Sequence, residues 1–374
     1  MKLRFFFPIV ILLGLPWALS AAQVAPYTGE REALIMRTPS PTGEAGWVLI
    51  PRVPAGATPA IAPRKSRAPT AQLRKDKDAL VAVVNGHDLL AFNFGVIQPP
   101  RPGIDPKLAR SGYIDGIRTR SGAVVSEAFP RVAADHEHQY ALWSAWTATE
   151  FEGRKMNFWA PKAGDSQIRC EGVSNSWEAP MAAGFTAVNV FYDLVASPRK
   201  AALRETWNVV AYAMPEELKY DLFDVSLQQD CATASPVTVK KNAYGGFAMR
   251  YPDTFFGPAG RFMVSTGESN RAKANHTEQR WVYLGALVNG QPAGLAILSH
   301  PGNFRAPEKL RLHETMPYFV FAPAISGDFE ITPTQPFKAH YRVVVFDGDP
   351  DRARLDRLWN AFASVSPVAA VGGQ

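Results

Sequence analysis

Two histidines and two acids stand together in Asp135-His136-Glu137-His138, and Trp143 and Trp146 follow within a few residues. Imidazoles take and give protons near neutral pH, and they also ligate divalent metals. On an extended strand, alternation sets His136 and His138 on one face and Asp135 and Glu137 on the other. An HxH pattern also occurs in plain surface loops, so neighbours must decide its role. Trp143, Trp146 and Trp159 are close in sequence, and aromatic faces beside polar groups suit sugar rings as well as ordinary cores.

A second cluster is "LSHPGNFRAPEKLRLHE", residues 298–314. His300 stands where the apolar run "AGLAILS" opens into a loop, and Asn303 and Arg305 add a neutral donor and acceptor and a fixed cation. Loops held by rigid strands are where sites tend to form. A third is "AYGGFAMRYP", residues 243–252. Gly245-Gly246 permits a bulge or a close backbone approach. Arg250 can grip a carboxylate or a polyol through its planar fork.

The elements that position these groups read as β-structure. The 374 residues include 31 Pro and 28 Gly, which favours turns over long helices. "ALVAVV" and "LLAFNF" flank Asn85-Gly86, and "RWVYLGALV" and "AGLAILS" flank Asn289-Gly290; both read as tight hairpins. His87 at the first turn reads as a solvated residue. "DLFDVSLQQ" alternates Phe223, Val225 and Leu227 with Asp224, Ser226 and Gln228, the period of a half-buried antiparallel strand. One helix is expected near the end. Asp349 would cap it, Pro350 would open it, and Leu355, Leu358, Trp359 and Phe362 would share one face. The expected architecture is mainly β: one large antiparallel β-sandwich with a C-terminal helix outside it.

The start, "MKLRFFFPIVILLGLPWALSAAQ", has a basic opening, an apolar run and Ser20-Ala21-Ala22 at its end. It reads as an export signal cleaved after Ala22, which places the protein in the periplasm or outside the cell. The run is short for a membrane span and holds two prolines, and no later run suffices. Residues 23–75 then form an N-terminal strand ("GWVLIPR") and a Pro/Ala/basic linker, 76–366 one domain, and 367–374 a tail.

The formal charge of +6 falls to +4 without Lys2 and Arg4. It falls to −2 without the six cations of 51–75, so the excess belongs to one stretch and nucleic acid is not the expected partner. Cys170 and Cys231 fit either one disulfide in an oxidising compartment or two buried thiols.

Taken in order, these clusters resemble the PmoA-like domain-of-unknown-function family of exported bacterial proteins. The carrying segments are "DHEHQYALW", "GRKMNFW", "GGFAMR", "HPGNFRAP", Arg280-Trp281 and "YRVVVFDGD", spread over roughly residues 79–364. The family's usual His-Arg-Gly stands here as His138-Gln139-Tyr140, which puts a cation of the family's pattern in question. Members are often labelled methane oxygenase; that subunit is a membrane protein, and this chain has no apolar span after its leader.

The resemblance implies a supersandwich similar to the galactose mutarotase-like group, with a sugar or oligosaccharide held in a broad cleft on one sheet. Under that expectation His136, His138 and His300 transfer protons, with Asp135 or Glu314 as the base. Arg250, Asn303 and Arg305 position hydroxyls, and Trp143 or Trp281 stacks on the ring. Epimerisation, lyase cleavage and hydrolysis all fit. Two other readings stay open: a carbohydrate-binding protein without turnover, and a metalloprotein holding a divalent metal on His136, His138 and His300 with a carboxylate as fourth ligand.

Overall fold

The computed structural model describes residues 70–131, 136–257 and 260–364, together with the backbone of 33–39 and 45–51. Asp135, the leader, residues 52–69 and the last ten residues lie outside the described residues.

In chain order the strands are β1 (Ala33–Pro39), β2 (Ala45–Pro51), β3 (Ala71–Lys75), β4 (Ala79–Val84), β5 (His87–Asn93), β6 (Tyr113–Asp115), β7 (Leu142–Trp146) and β8 (Thr149–Phe151). They continue with β9 (Arg154–Met156), β10 (Ser166–Ala179), β11 (Ala182–Asp193), β12 (Lys200–Tyr212), β13 (Tyr220–Cys231), β14 (Val237–Val239) and β15 (Gly245–Arg250). The last are β16 (Gly260–Val264), β17 (Trp281–Val288), β18 (Gln291–Ser299), β19 (Leu310–Leu312), β20 (Tyr318–Phe321), β21 (Phe329–Ile331) and β22 (Phe337–Asp347). A short helix α1 (Arg271–Ala274) and a longer α2 (Arg352–Ala363) complete the described elements.

Two eight-stranded sheets dominate. The first runs β19-β20-β15-β7-β6-β5-β4-β3 and the second β10-β11-β12-β13-β22-β18-β17-β16. Neighbours pair antiparallel throughout. The sheets pack face to face. Phe247 of the first stacks on Tyr341 of the second, ring centroids 4.2 Å apart. The Trp146 indole donates to Gln229 Oε1 at 2.7 Å. A four-stranded sheet, β21-β14-β8-β9, lies alongside, with Phe329 set edge-on to Trp146.

Both hairpins turn as their Asn-Gly pairs require. Asn85 and Gly86 have φ of 51° and 86°, and Asn289 and Gly290 have 50° and 79°, the left-handed pair of a type I′ turn. Alternation holds on β13, where Phe223, Val225 and Leu227 are buried.

Two local expectations change, and the open choice for the cysteines resolves to separate thiols. β3 lies within the stretch read as linker and pairs with β4 from Ala71 to Lys75, so the first sheet begins before residue 76. Helix α2 starts at Arg352 with Asp351 as its cap, accepting from Arg354 N, two residues later than Asp349-Pro350 suggested. Leu355, Leu358 and Phe362 do share its buried face, which covers Trp281 and Leu298 on the outer side of the second sheet. Cys170 and Cys231 are separate thiols on β10 and β13, with β11 and β12 between them. Among the described residues no helix is long and apolar enough to cross a membrane.

Candidate functional site

Side chains on a strand alternate between faces. Phe247 and Phe321 both meet Tyr341 of the second sheet and therefore point inward. Their neighbours point outward: Ala248 and Arg250 on β15, Tyr318 and Val320 on β20. Cross-strand register adds Arg311, opposite Val320, and Trp143, opposite Ala248. The outer face of the first sheet thus carries Arg311, Tyr318, Arg250 and Trp143 across four adjacent strands. The Gly245-Gly246 pair makes this packing feasible. Gly246 has a φ of 131°, and a Cβ there would run into the Phe321 carbonyl oxygen.

His136 and His138 arrive over this face from a turn, not a strand; Gln139 N closes it by donating to His136 O at 3.0 Å. Their rings nevertheless lie side by side, centroids 5.9 Å apart and 22° from parallel. His136 also meets His313 edge-on at 6.0 Å and Tyr318 at 5.6 Å. His313, just past β19, lies 5.4 Å from the Tyr318 ring. His138 packs edge-on to Trp159, which in turn lies against Tyr244. Tyr244 is 37% exposed. Arg311 lies over its ring, 5.2 Å from the ring centre, and donates to the Tyr244 hydroxyl at 3.2 Å.

Burial sets the protonation states. It holds the His313 imidazole below its ordinary value, helped by the positive charge of Arg311 and by His136. It also raises the Tyr318 phenol well above its usual range. The face therefore presents a neutral imidazole at physiological pH, a base, above a Tyr318 phenol that is neutral and fully buried.

Several sequence candidates take other roles. Arg250 is 1% exposed, ion-paired with Asp253, and donates to Gln139 Oε1 at 3.1 Å. It ties the histidine turn to β15 and is too deep to grip a ligand. Gln139 supplies the acceptor that this buried cation needs. Trp143 is fully buried beneath Trp159, and Trp281 is fully buried beneath α2 with its indole donating to Asp356. Neither indole can stack on a sugar, because both faces are already covered.

The segment 300–305 does not join the histidine turn. His300 follows β18 of the second sheet and packs edge-on to Phe362 of α2 and to His340. Asn303 donates to Ser299 Oγ, Glu308 Oε2 and His340 O, and accepts from His340 N at 2.7 Å. Arg305 donates to the carbonyls of Pro323, Gly327 and Asp328. These residues pin a loop; the reason is that β18 belongs to the other sheet. The trio His136, His138 and His300 is accordingly not assembled. Among the described residues no group of three or more His, Cys, Asp or Glu is arranged to hold a metal. Glu314 is exposed beside His313.

Three members of the face escaped sequence reading: His313, Tyr318 and Tyr244. His313 and Tyr244 stand inside the segments quoted above, but only the β19-β20-β15-β7 pairing brings them to His136.

A separate cavity of ≈ 580 Å³ opens beside the first hairpin, lined by Asn85, His87, Arg120, Glu216, Lys219 and Asp347. His87 is no solvated turn residue: its Nε2 lies 2.9 Å from Asp221 Oδ2, a carboxylate with no exposure. Arg120 donates to the other oxygen of Asp221 and to the carbonyls of Met214, Pro215, Glu216 and Tyr220. With its donors so engaged, Arg120 braces the connection between β12 and β13.

No curated protein matches the chain. Among solved structures it is similar to a heparan sulfate lyase HepC mutant from Pedobacter heparinus, at 10% identity and a TM-score of 0.34, covering 75% of this chain and 37% of that one. It is also similar to a heparinase III, the BT4657 gene product (7%, 0.32, covering 74% and 36%), and to a GalM/aldose epimerase homologue from C. elegans (8%, 0.29, covering 76% and 100%). The chain thus spans little more than a third of the length of the first two. A family model matches residues 79–360, more than half of the chain, and the protein belongs to that family of unknown function, DUF6807.

Proposed function

We propose that this protein is an exported carbohydrate-active protein whose ligand lies on the outer face of the first sheet, over His136, His138, His313, Tyr318 and Tyr244. One observation carries the reading: the ring of His136 meets His138, His313 and Tyr318, groups that two chain segments far apart in sequence deliver to one place. Tyr244, 37% exposed, lies at its edge with Arg311 over its ring.

The side chains favour proton transfer at carbon over hydrolysis. Glycoside hydrolysis in its usual form needs two carboxylates flanking the bond. Among the described residues, Asp253 is held by Arg250, Glu137 lies 4.0 Å from Arg101 and Glu314 stands at the exposed rim. Imidazoles side by side, with His313 held toward the neutral form by burial, instead suit epimerisation or elimination, where one group removes a proton and another returns or donates one. A second reading, binding without turnover, is favoured by Gln139 in place of the family's arginine.

The test is a thermal-shift screen of residues 23–374 against mono- and oligosaccharides. A native-state ligand raises the melting temperature. The proposal predicts a shift that vanishes in His136→Ala and in His313→Ala and persists in His300→Ala. A shift lost only in His300→Ala would place the ligand elsewhere. Recovery of a mature chain starting at Gln23 from the periplasm or medium checks export.

A further inference from the structure

We infer that the sugar this face takes is acidic, a uronate whose carboxylate is received by Arg311; the inference rests on the carbohydrate reading above and adds the substrate class. Two arginines occupy the outer face. Arg250 is buried and neutralised by Asp253. Arg311 is only half-buried, and among the described residues it forms no ion pair. Its bonds go to neutral acceptors: Asn275 Oδ1 at 3.3 Å, Leu312 O at 2.9 Å and the Tyr244 hydroxyl at 3.2 Å. Asn275 is itself fixed, since its Oδ1 accepts from Leu312 N at 2.9 Å.

The guanidinium is therefore held in one place by groups that leave its charge uncompensated. Its position is functional in shape as well as charge. It lies over the Tyr244 ring, 5.2 Å from its centre, and its charge adds to burial in holding the His313 and His276 imidazoles toward the neutral form. The acids nearby do not cancel it: Glu127 and Asp253 are engaged with Arg250 or with backbone, and Glu314 projects to solvent. A planar fork with a free charge beside an aromatic plate is the recognition geometry for a carboxylate on a ring. Pairing a carboxylate with a cation also makes the adjacent C–H more acidic, which is the proton a neutral His313 would meet.

The experiment is isothermal titration of the mature chain with trisaccharides of galacturonate, glucuronate and mannuronate, each beside its carboxyl-reduced neutral form. At least one acidic trisaccharide is expected to bind at least about tenfold more tightly than its neutral form, and to weaken with salt. Arg311→Gln should bring the acidic-to-neutral affinity ratio down to about one, and Arg311→Lys should restore it only in part. If Arg311→Gln does not fold, Asn275→Ala keeps the cation and removes one of its anchors, and should lower the same ratio. Equal binding of acidic and neutral forms, or an acidic preference that survives in Arg311→Gln, overturns this inference and leaves the carbohydrate reading standing. Binding of neither form overturns both.

Discussion

Arg250 and Tyr318 stand directly opposite each other on β15 and β20, and both point away from the second sheet. One is a buried cation that fastens the histidine turn. The other is a phenol that the same turn reaches through His136. The pairing makes the floor of the site: a brace and a buried ring beneath His136 share one rung of the ladder.

His313→Gln isolates the base. His313 is only half-buried, so the urea midpoint should move little. Turnover on a sugar that proves to be a substrate should fall by about 10²–10⁴, the usual worth of one acid or base group. Unchanged turnover would remove His313 from the chemistry.

Acid should weaken the fold through His340. Burial, with the neighbouring His300, holds its imidazole down to about 4, against about 6.5 in an unfolded chain. A depressed folded value stabilises above the unfolded one and is lost as pH falls through the folded one. The contribution, on the order of 3 kcal/mol at about 1.4 kcal/mol per unit, should disappear between pH 6.5 and 4. Glu308 acts oppositely. Burial raises its carboxyl, so its contribution is present at low pH and lost as pH rises through the folded value. Urea unfolding of His340→Asn should show a flatter decline below pH 6.5 than wild type; an identical decline would assign the acid loss to other groups.

Arg120→Ala should be severely destabilising, although Arg120 is far from the core centre. It would leave Asp221, which has no exposure, without its arginine and with His87 Nε2 as its remaining side-chain partner among the described residues. Removing one partner of a buried pair costs about 3–5 kcal/mol. Arg120→Lys should recover little, because a single ammonium cannot span five acceptors. A midpoint within about 1 kcal/mol of wild type would show that water replaces the brace.

Gly246→Ala tests the close approach of β15 and β20. The backbone angle of 131° and the Phe321 carbonyl both oppose a Cβ, so a loss of at least about 2 kcal/mol is expected in chemical denaturation. A neutral substitution would mean that β20 can retreat without cost.

Much of the fold is legible in the chain. Asn85-Gly86 and Asn289-Gly290 dictate their turns by local chemistry, and the alternation of Phe223 to Gln228 marks a strand with one buried face. The α2 face is legible from Leu355, Leu358 and Phe362, though its cap is not, because Asp349 and Asp351 offer equivalent oxygens. The site is less legible. His136, His138 and Arg250 announce themselves, yet the sequence gives no sign that β18 and β20 belong to different sheets. That division sends His300 to α2 and brings His313 to His136. Trp143 and Trp281 mislead for a related reason: an indole suited to a sugar is equally suited to a core, and only the layer above it decides.

The most direct measurement follows the imidazole nitrogens of all seven histidines by NMR, while the mature chain is titrated with an acidic trisaccharide. The account predicts that signals of His136, His138 and His313 move together with saturation, while His87, His300 and His340 stay in place. Movement of His300 and His340, or of His87 alone, with the His136 group unmoved would contradict it and place the ligand on the second sheet or in the hairpin cavity.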